Sequence, residues 1–477
     1  MLVLFILIAL LCFIGVLFLR GMLLKRPEER QPVAEATDVD FEGAVKKFQT
    51  LIRIPTVSCA DEKEEDEAAF KRFRETLPEL FPHVYKTCEY HEIGRRGLLF
   101  HWKGKNASKP AVFMAHYDVV PADASHWTKP PFEALIEEGV LWGRGTLDTK
   151  GTFTAILESA NRLIGNGFLP EGDIYLAFSG EEETHGPSAD DIVNYLTERG
   201  ITPDFVLDEG GAVIEPLSPI TDRRLGVVGI GEKGQMDVRL TLKGEGGHAS
   251  HPPVRSLIRQ LSEAIVKLEK HPMPVHLNEA FLQFVTVLGC QSGILIKTLI
   301  ANIRLLKPLV AGLTRKTGGE INALIRTTLA ATVLKGSEAY NVMPSKVSAG
   351  INIRYLKEDE REAILEHIKK TVDDPALEVE VLYDTGSSGY SNTACRQYEQ
   401  LKECIRQTWT DVLVVPYLMI ACSDARHYSK VSDKVYRFAA MEMTKEERKL
   451  IHGQDERIRL AEWKNTLDFY YRVISRF

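Results

Sequence analysis

Apolar and polar positions divide the chain into stretches of different texture. Leu2 to Leu19 is an unbroken run of 18 apolar or small residues, about 27 Å as a helix and so about long enough to cross a bilayer. No basic segment precedes the run and no small-x-small site closely follows it, which favours an uncleaved anchor over residues 1–25 rather than a signal peptide. Arg20, Lys25 and Arg26 follow the helix; three charges leave the membrane face of the remaining chain open. The polar stretch RPEERQPVAEATD, residues 26–38, predicts a linker.

Beyond it, "FEGAVKKFQTLIRI" has helical spacing and stops before Pro55. Short apolar runs (AVFMA, DIYLAF, DFVL and LVVPYLMIA) then alternate with helical segments such as Lys150 to Ile164, a pattern that predicts an α/β layer with a mainly parallel sheet. Between residues 225 and 384 the texture changes. "MDVRLTLKG" and "KVSAGINIRYL" alternate apolar and polar positions as half-exposed antiparallel strands do, while "SLIRQLSEAIVKLE" and "DEREAILEHIKKTV" have helical period. The expected organisation is a catalytic α/β domain in two parts, 39–224 and 385–477, interrupted by an inserted α+β domain at 225–384.

Composition narrows the class. The chain has 477 residues, 44% apolar and 26% charged, with a net charge of −7; it suits two folded domains and argues against a nucleic-acid surface. Its seven cysteines include no CxxC pair, so neither a disulfide framework nor a thiolate metal site is expected.

The chemistry lies just after the apolar runs. "AVFMA" is followed by His116 and Asp118, "DIYLAF" by Glu181, Glu182 and Glu183, "DFVL" by Asp208, and "LVVPYLMIA" by Asp424 and His427; "LWGRGTLDTKG" adds Asp148 before a helix. Ligands of open α/β sheets bind beyond the carboxyl ends of strands. Imidazoles and carboxylates without thiolates suit zinc, and so many donors suggest two ions sharing a carboxylate. Two divalent ions carry charge enough for three carboxylates and a bridging hydroxide. In "GEEE" one glutamate then binds metal while its neighbour acts as general base. Each motif alone has a plainer reading: an acidic run is usually a solvated loop, and Asp208 before glycines suits a turn.

Taken together, "MAHYDVVPA", "LWGRGTLDTKG", "EEETHG", "VLDEGG", "GEGGHAS" and "SDARHY" resemble the two-zinc metallopeptidase family of aminoacylase, carboxypeptidase G and vacuolar carboxypeptidase S, in register from about Phe41 to the C-terminus. The resemblance implies that His116 and Asp208 hold one zinc, Glu183 and His427 the other, and that Asp148 bridges them. It implies Glu182 as general base, Asp118 as the residue orienting His116, and His248 as an oxyanion donor reaching across a homodimer formed through the inserted lid domain. Asn341 and Arg354 match positions that contact the substrate's carboxylate. The chain departs from the pattern at Glu181, where the family has Asp, and at Ala421, Cys422 and Ser423 before Asp424.

The reaction so implied is hydrolysis of an amide bond beside a free carboxylate, in a peptide or an N-acyl amino acid. The alternative is a non-catalytic binding or scaffolding protein that retains the fold. Ser292 to Leu313 is apolar on a broad face but interrupted by Lys297, Arg304, Lys307 and Pro308. It reads as lid core, a dimer face, or a surface for an acyl chain or the bilayer.

Overall fold

The computed structural model describes residues 1–25, 32–33, 36–218 and 220–477, and most of the linker expected at 26–38 lies outside them. The N-terminal apolar run forms one helix, Leu2–Leu23, and its window Leu4–Leu23 has a mean hydropathy of 2.7 with 6% of it buried. By length and composition it is a candidate membrane anchor, and a signal sequence would look the same.

The main sheet is mixed. Its strands run in the order Glu89–Ile93, Gly97–Trp102, Gly172–Ser179, Asn106–His116, Phe205–Asp208, Val435–Arg437, Leu225–Glu232 and Leu413–Met419. Gly172–Ser179, Asn106–His116 and Phe205–Asp208 form a parallel centre. Ile174, Leu176, Phe178, Phe113 and Phe205 are fully buried along them, as expected of strands covered on both faces. Helix Lys150–Gly165 packs beneath, its Phe153 ring 4.4 Å from that of Phe178. Burial of one such ring contributes roughly 1.5–3 kcal/mol. Trp463, on the C-terminal helix Leu460–Ile474, donates its indole N–H to the Gly151 carbonyl at 3.0 Å, tying that helix to Lys150–Gly165.

A second, antiparallel sheet has the order Thr328–Lys335, Lys346–Tyr355, Gly234–Lys243 and Glu378–Asp384. Val238, Leu240, Leu242, Val347, Ala349, Ile351 and Ile353 turn inward against helices Leu257–Lys270 and Arg361–Val372, forming a core of their own. The alternation seen in sequence is therefore the alternation of this sheet's two faces. Strand Leu225–Glu232 belongs to the main sheet, so the second sheet starts at Gly234 and not at 225. Lys233, fully buried, sits at the change of sheet and donates its ammonium to the Arg326 carbonyl at 2.8 Å.

A small three-stranded sheet positions the site. Arg457–Arg459 pairs with Val140–Trp142, which pairs with Leu135–Glu137. This pairing lays the loop at 452–456 beside the loop at 143–148.

Candidate metal centre

Parallel neighbours end at a common rim, and the central strands do so with His116, with the loop Glu181–Glu183 after Ser179, and with Asp208. His116 Nε2 lies 2.7 Å from Asp148 Oδ1, and its Nδ1 lies 3.0 Å from the Asp118 carbonyl oxygen and 3.4 Å from Asp118 Oδ1. Asp118 is fully buried and does more than face His116. It accepts from Ser58 Oγ at 2.8 Å and from the backbone N–H groups of Glu182 and Glu183 at 3.2 and 3.1 Å. One carboxylate thus fixes both the imidazole and the acidic loop, as outer partners of metal ligands do.

Asp148 is held from the C-terminal side. Buried Glu456 accepts from the N–H groups of Gly145, Leu147 and Asp148 at 3.0, 2.7 and 3.2 Å, and from Arg144 Nη1 at 2.7 Å. Four residues earlier on the same turn, His452 places Nε2 3.0 Å from both Asp148 Oδ2 and Glu183 Oε2. Hydrogen bonds to Asp148 and Glu183 push this imidazole up to about 10 in the metal-free chain. Burial pushes the Glu182 carboxyl well above the usual range; His116 counteracts it and the charges of Asp424 and Glu183 reinforce it. Glu209 is raised in the same way, by burial and then by Asp148.

Among the described residues, two groups of donor atoms fall close enough to hold a cation: His116, Asp148 and Glu183, and His116, Glu182 and Glu209. The expected residues His116, Asp148, Glu182 and Glu183 therefore meet, with Asp118 behind them. Asp208 and His427 lie outside both groups. Asp208 accepts from the Ala425 N–H at 2.8 Å, and it is its neighbour Glu209 whose Oε1 lies 3.5 Å from His116 Nε2. His427 Nδ1 pairs with Asp190 at 2.8 Å. Burial, then the Arg426 charge, lowers its pKa to about 4, so the ring is neutral.

Glu209 and His452 escaped the sequence reading for different reasons. Asp208 and Glu209 are adjacent at a strand end, where successive side chains point to opposite sides and the pattern cannot choose between them. His452 stands in the polar stretch "RKLIHGQDERI" with no apolar strand before it. Only its five-residue distance from the strand Arg457–Arg459 brings it to the rim.

The residues assigned to substrate are spread more widely. Arg354, on the second sheet, donates Nη1 to Cys422 Sγ at 3.1 Å, so Cys422 stands beside the expected carboxylate reader. His185 stacks on Tyr383 with ring centroids 5.4 Å apart, which brings the second sheet's edge strand against the acidic loop. His248 and Asn341 are exposed, on or beside the short ribbon that pairs Gly247–His248 with Val342–Met343.

The donor set fits a borderline divalent metal: imidazole and carboxylate, with Glu183 Oε1 buried and lacking a hydrogen-bond partner among the described residues. Such an orphaned oxygen is costly to bury unless a cation meets it.

Comparison with known proteins identifies the family. The model of peptidase family M20/M25/M40 matches residues 112–476. The chain is 33% identical over 455 residues to "Probable carboxypeptidase S-like 2" of Dictyostelium discoideum, covering 94% of this chain and 87% of that protein. It is 31% identical over 456 residues to "N-fatty-acyl-amino acid synthase/hydrolase PM20D1" of Mus musculus, covering 94% and 88%. The fold is similar to that of the M20 family metallo-carboxypeptidase Sso-CP2 from Sulfolobus solfataricus, with a TM-score of 0.66, 17% identity and coverage of 91% and 98%. Human carnosine dipeptidase 1 matches at a TM-score of 0.63 and 14% identity, with coverage of 92% and 97%.

Proposed function

We propose, on the premise that this chain belongs to the peptidase family M20/M25/M40 and is a hydrolase of amide bonds in peptides or N-acyl amino acids, a specific assignment of roles at the rim. Five residues would hold two zinc ions: His116 and Glu209 one, Glu183 and His452 the other, with Asp148 shared. The observation that carries this reading is the placing of His452 Nε2 at 3.0 Å from both Asp148 and Glu183, together with the two donor groups that share His116. Asp208 and His427 act behind the ligands, holding the loop at 423–427.

Zinc bound there would polarise a carbonyl and lower the pKa of water to near neutrality. The protein's own groups do the rest. Glu182 is the general base: its backbone is pinned by Asp118, and burial raises its proton affinity above that of an ordinary carboxylate. It takes a proton from the attacking water and returns it to the leaving nitrogen. Arg354 reads the substrate's free carboxylate through its guanidinium fork, and the second sheet serves as the lid that carries it. Exposed His248 and Asn341 complete the site when a second copy brings its lid against the first; a donor at the position of His248 would stabilise the oxyanion. The N-terminal helix is the anchor that holds the enzyme at a membrane. The non-catalytic alternative has nothing in the site to favour it.

Glu182→Gln tests the core of the proposal. It keeps size and loop hydrogen bonds but cannot accept the proton. Turnover of dipeptides or N-acyl amino acids should fall by about 10²–10⁴-fold with zinc content unchanged. A variant as active as the parent removes Glu182 from the mechanism.

A further inference from the structure

Helix Ile294–Ala301 has no buried residue, and helix Lys307–Thr317 buries only Thr314. Val310 and Ala311 turn toward the small core of Val275, Phe281 and Ile325. On the other side Leu295, Leu299, Leu305, Leu309 and Leu313 are 53–68% exposed. The second helix is therefore apolar on two faces, of which only one has a partner among the described residues. A soluble surface seldom carries so many exposed leucines together.

The same segment has an unusual charge. Residues 294–317 contain Lys297, Arg304, Lys307, Arg315 and Lys316 and no acidic residue, in a chain whose net charge is −7. Leucines alternating with cations along short helices suit the boundary between acyl chains and anionic headgroups.

The N-terminal helix fixes the depth. It packs on helix Ile294–Ala301 near its own C-terminal end. Gly21 lies so close that a Cβ there would stand 2.5 Å from Thr298 Oγ1. Buried Asn302 donates Nδ2 to the Leu17 carbonyl at 3.1 Å and accepts from Arg20 Nη1 at 3.4 Å. Leu17 lies six residues before the helix end at Leu23, about 9 Å along its axis. An interfacial helix typically buries its apolar face about 5–10 Å deep. If the N-terminal helix spans a bilayer, the exposed leucines beside its last turns are carried to that depth.

We propose that residues 294–317 form a second membrane contact, an interfacial patch that lies in a bilayer rich in anionic phospholipid next to the anchor. This inference rests on the anchor reading given above. Together the two contacts fix the orientation of the hydrolase on the membrane, since one spanning helix alone leaves rotation free.

The test uses the full chain reconstituted, with zinc, in phosphatidylcholine–phosphatidylserine vesicles. An environment-sensitive fluorescent amino acid replaces Leu295 or Leu309 in turn, with Leu11 on the anchor and exposed Glu366 as references. Emission at 295 and 309 is expected to shift blue and to be quenched several-fold more by nitroxide-labelled acyl chains than by aqueous iodide, as at Leu11, while Glu366 shows the reverse. Iodide quenching at 295 and 309 with lipid quenching at Leu11 overturns the patch and leaves the anchor standing. A blue shift without lipid quenching also overturns it, because another protein surface then covers the leucines. Iodide quenching at Leu11 as well overturns the anchor and the patch together.

Discussion

His452→Ala separates the two sets of ligands that the motifs and the geometry suggest. Asp148 Oδ2 and Glu183 Oε2 each lose a nitrogen at 3.0 Å, and two carboxylates are left facing each other. Removing an outer partner of a metal ligand typically weakens metal binding about 10–100-fold; loss of a direct imidazole should exceed that, by about 100-fold or more, or about 2.7 kcal/mol. His427→Ala removes one contact to Asp190, a carboxylate that keeps Lys430 at 2.9 Å, so its effect should stay within about 10-fold. The fold itself should hardly notice the first substitution. The His452 side chain is 52% exposed, and solvent-screened pairs of this kind contribute at most about 1 kcal/mol. Zinc content measured by mass spectrometry after equilibration in graded chelator buffers, beside denaturant unfolding of the metal-free proteins, gives both quantities. If His427→Ala strips the metal while His452→Ala retains it, the assignment of His452 is refuted and the motif-based ligand returns.

Two further outcomes follow from the same contacts. In the metal-free chain His452 titrates at about 10, against an ordinary value of 6.5, so at pH 7.5 it carries a proton that a metal must displace. Zinc affinity should therefore rise with pH up to about 10, and calorimetry in buffers of different ionisation enthalpy should detect proton release; none at pH 7.5 contradicts a protonated His452. The stability this pairing lends the metal-free chain is complete below pH 6.5 and is lost as pH rises through about 10. Glu456→Ala leaves buried Arg144 and three loop N–H groups without their acceptor, so unfolding free energy should fall by about 3–5 kcal/mol. A loss below about 1 kcal/mol in denaturant titration would show that water replaces the carboxylate.

Hydrophobic pattern alone revealed the apolar N-terminal helix, and periodicity the parallel centre and the alternating second sheet, because each of these two sheets buries its faces with its own repeat. It placed the change of sheet at 225 instead of Gly234, because strand Leu225–Glu232 is buried along its whole length and its run of apolar and glycine residues marks no border. The strand-end rule singled out His116, Glu182 and Glu183, and the loop before a helix Asp148; all four fall in the two groups of neighbouring donor atoms. It reached too far with "LVVPYLMIA": strand Leu413–Met419 runs parallel to Leu225–Glu232, which is antiparallel to its other neighbour Val435–Arg437. The segment after Leu413–Met419 still reaches the rim, where the Ala425 N–H meets Asp208, but His427 lies outside both donor groups and pairs with Asp190. Polar loops have no periodicity to read, so a residue such as His452 becomes visible only through tertiary pairing.

That pairing also explains why the C-terminal segment matters to a site built mostly from residues before 210. The turn at 452–456 contributes at both of its ends. Glu456 fastens the loop that carries Asp148, and His452 contacts Asp148 and Glu183 directly. Strand Arg457–Arg459 and helix Leu460–Ile474 hold the turn in place, the latter through the Trp463 bond to Gly151 at the start of the helix that follows Asp148. The Asp148 carboxylate is thus braced from two sides by residues some 300 positions away. Ordering these side chains before any metal arrives lowers the entropy lost on binding, which is the advantage of building the first contacts on rigid elements.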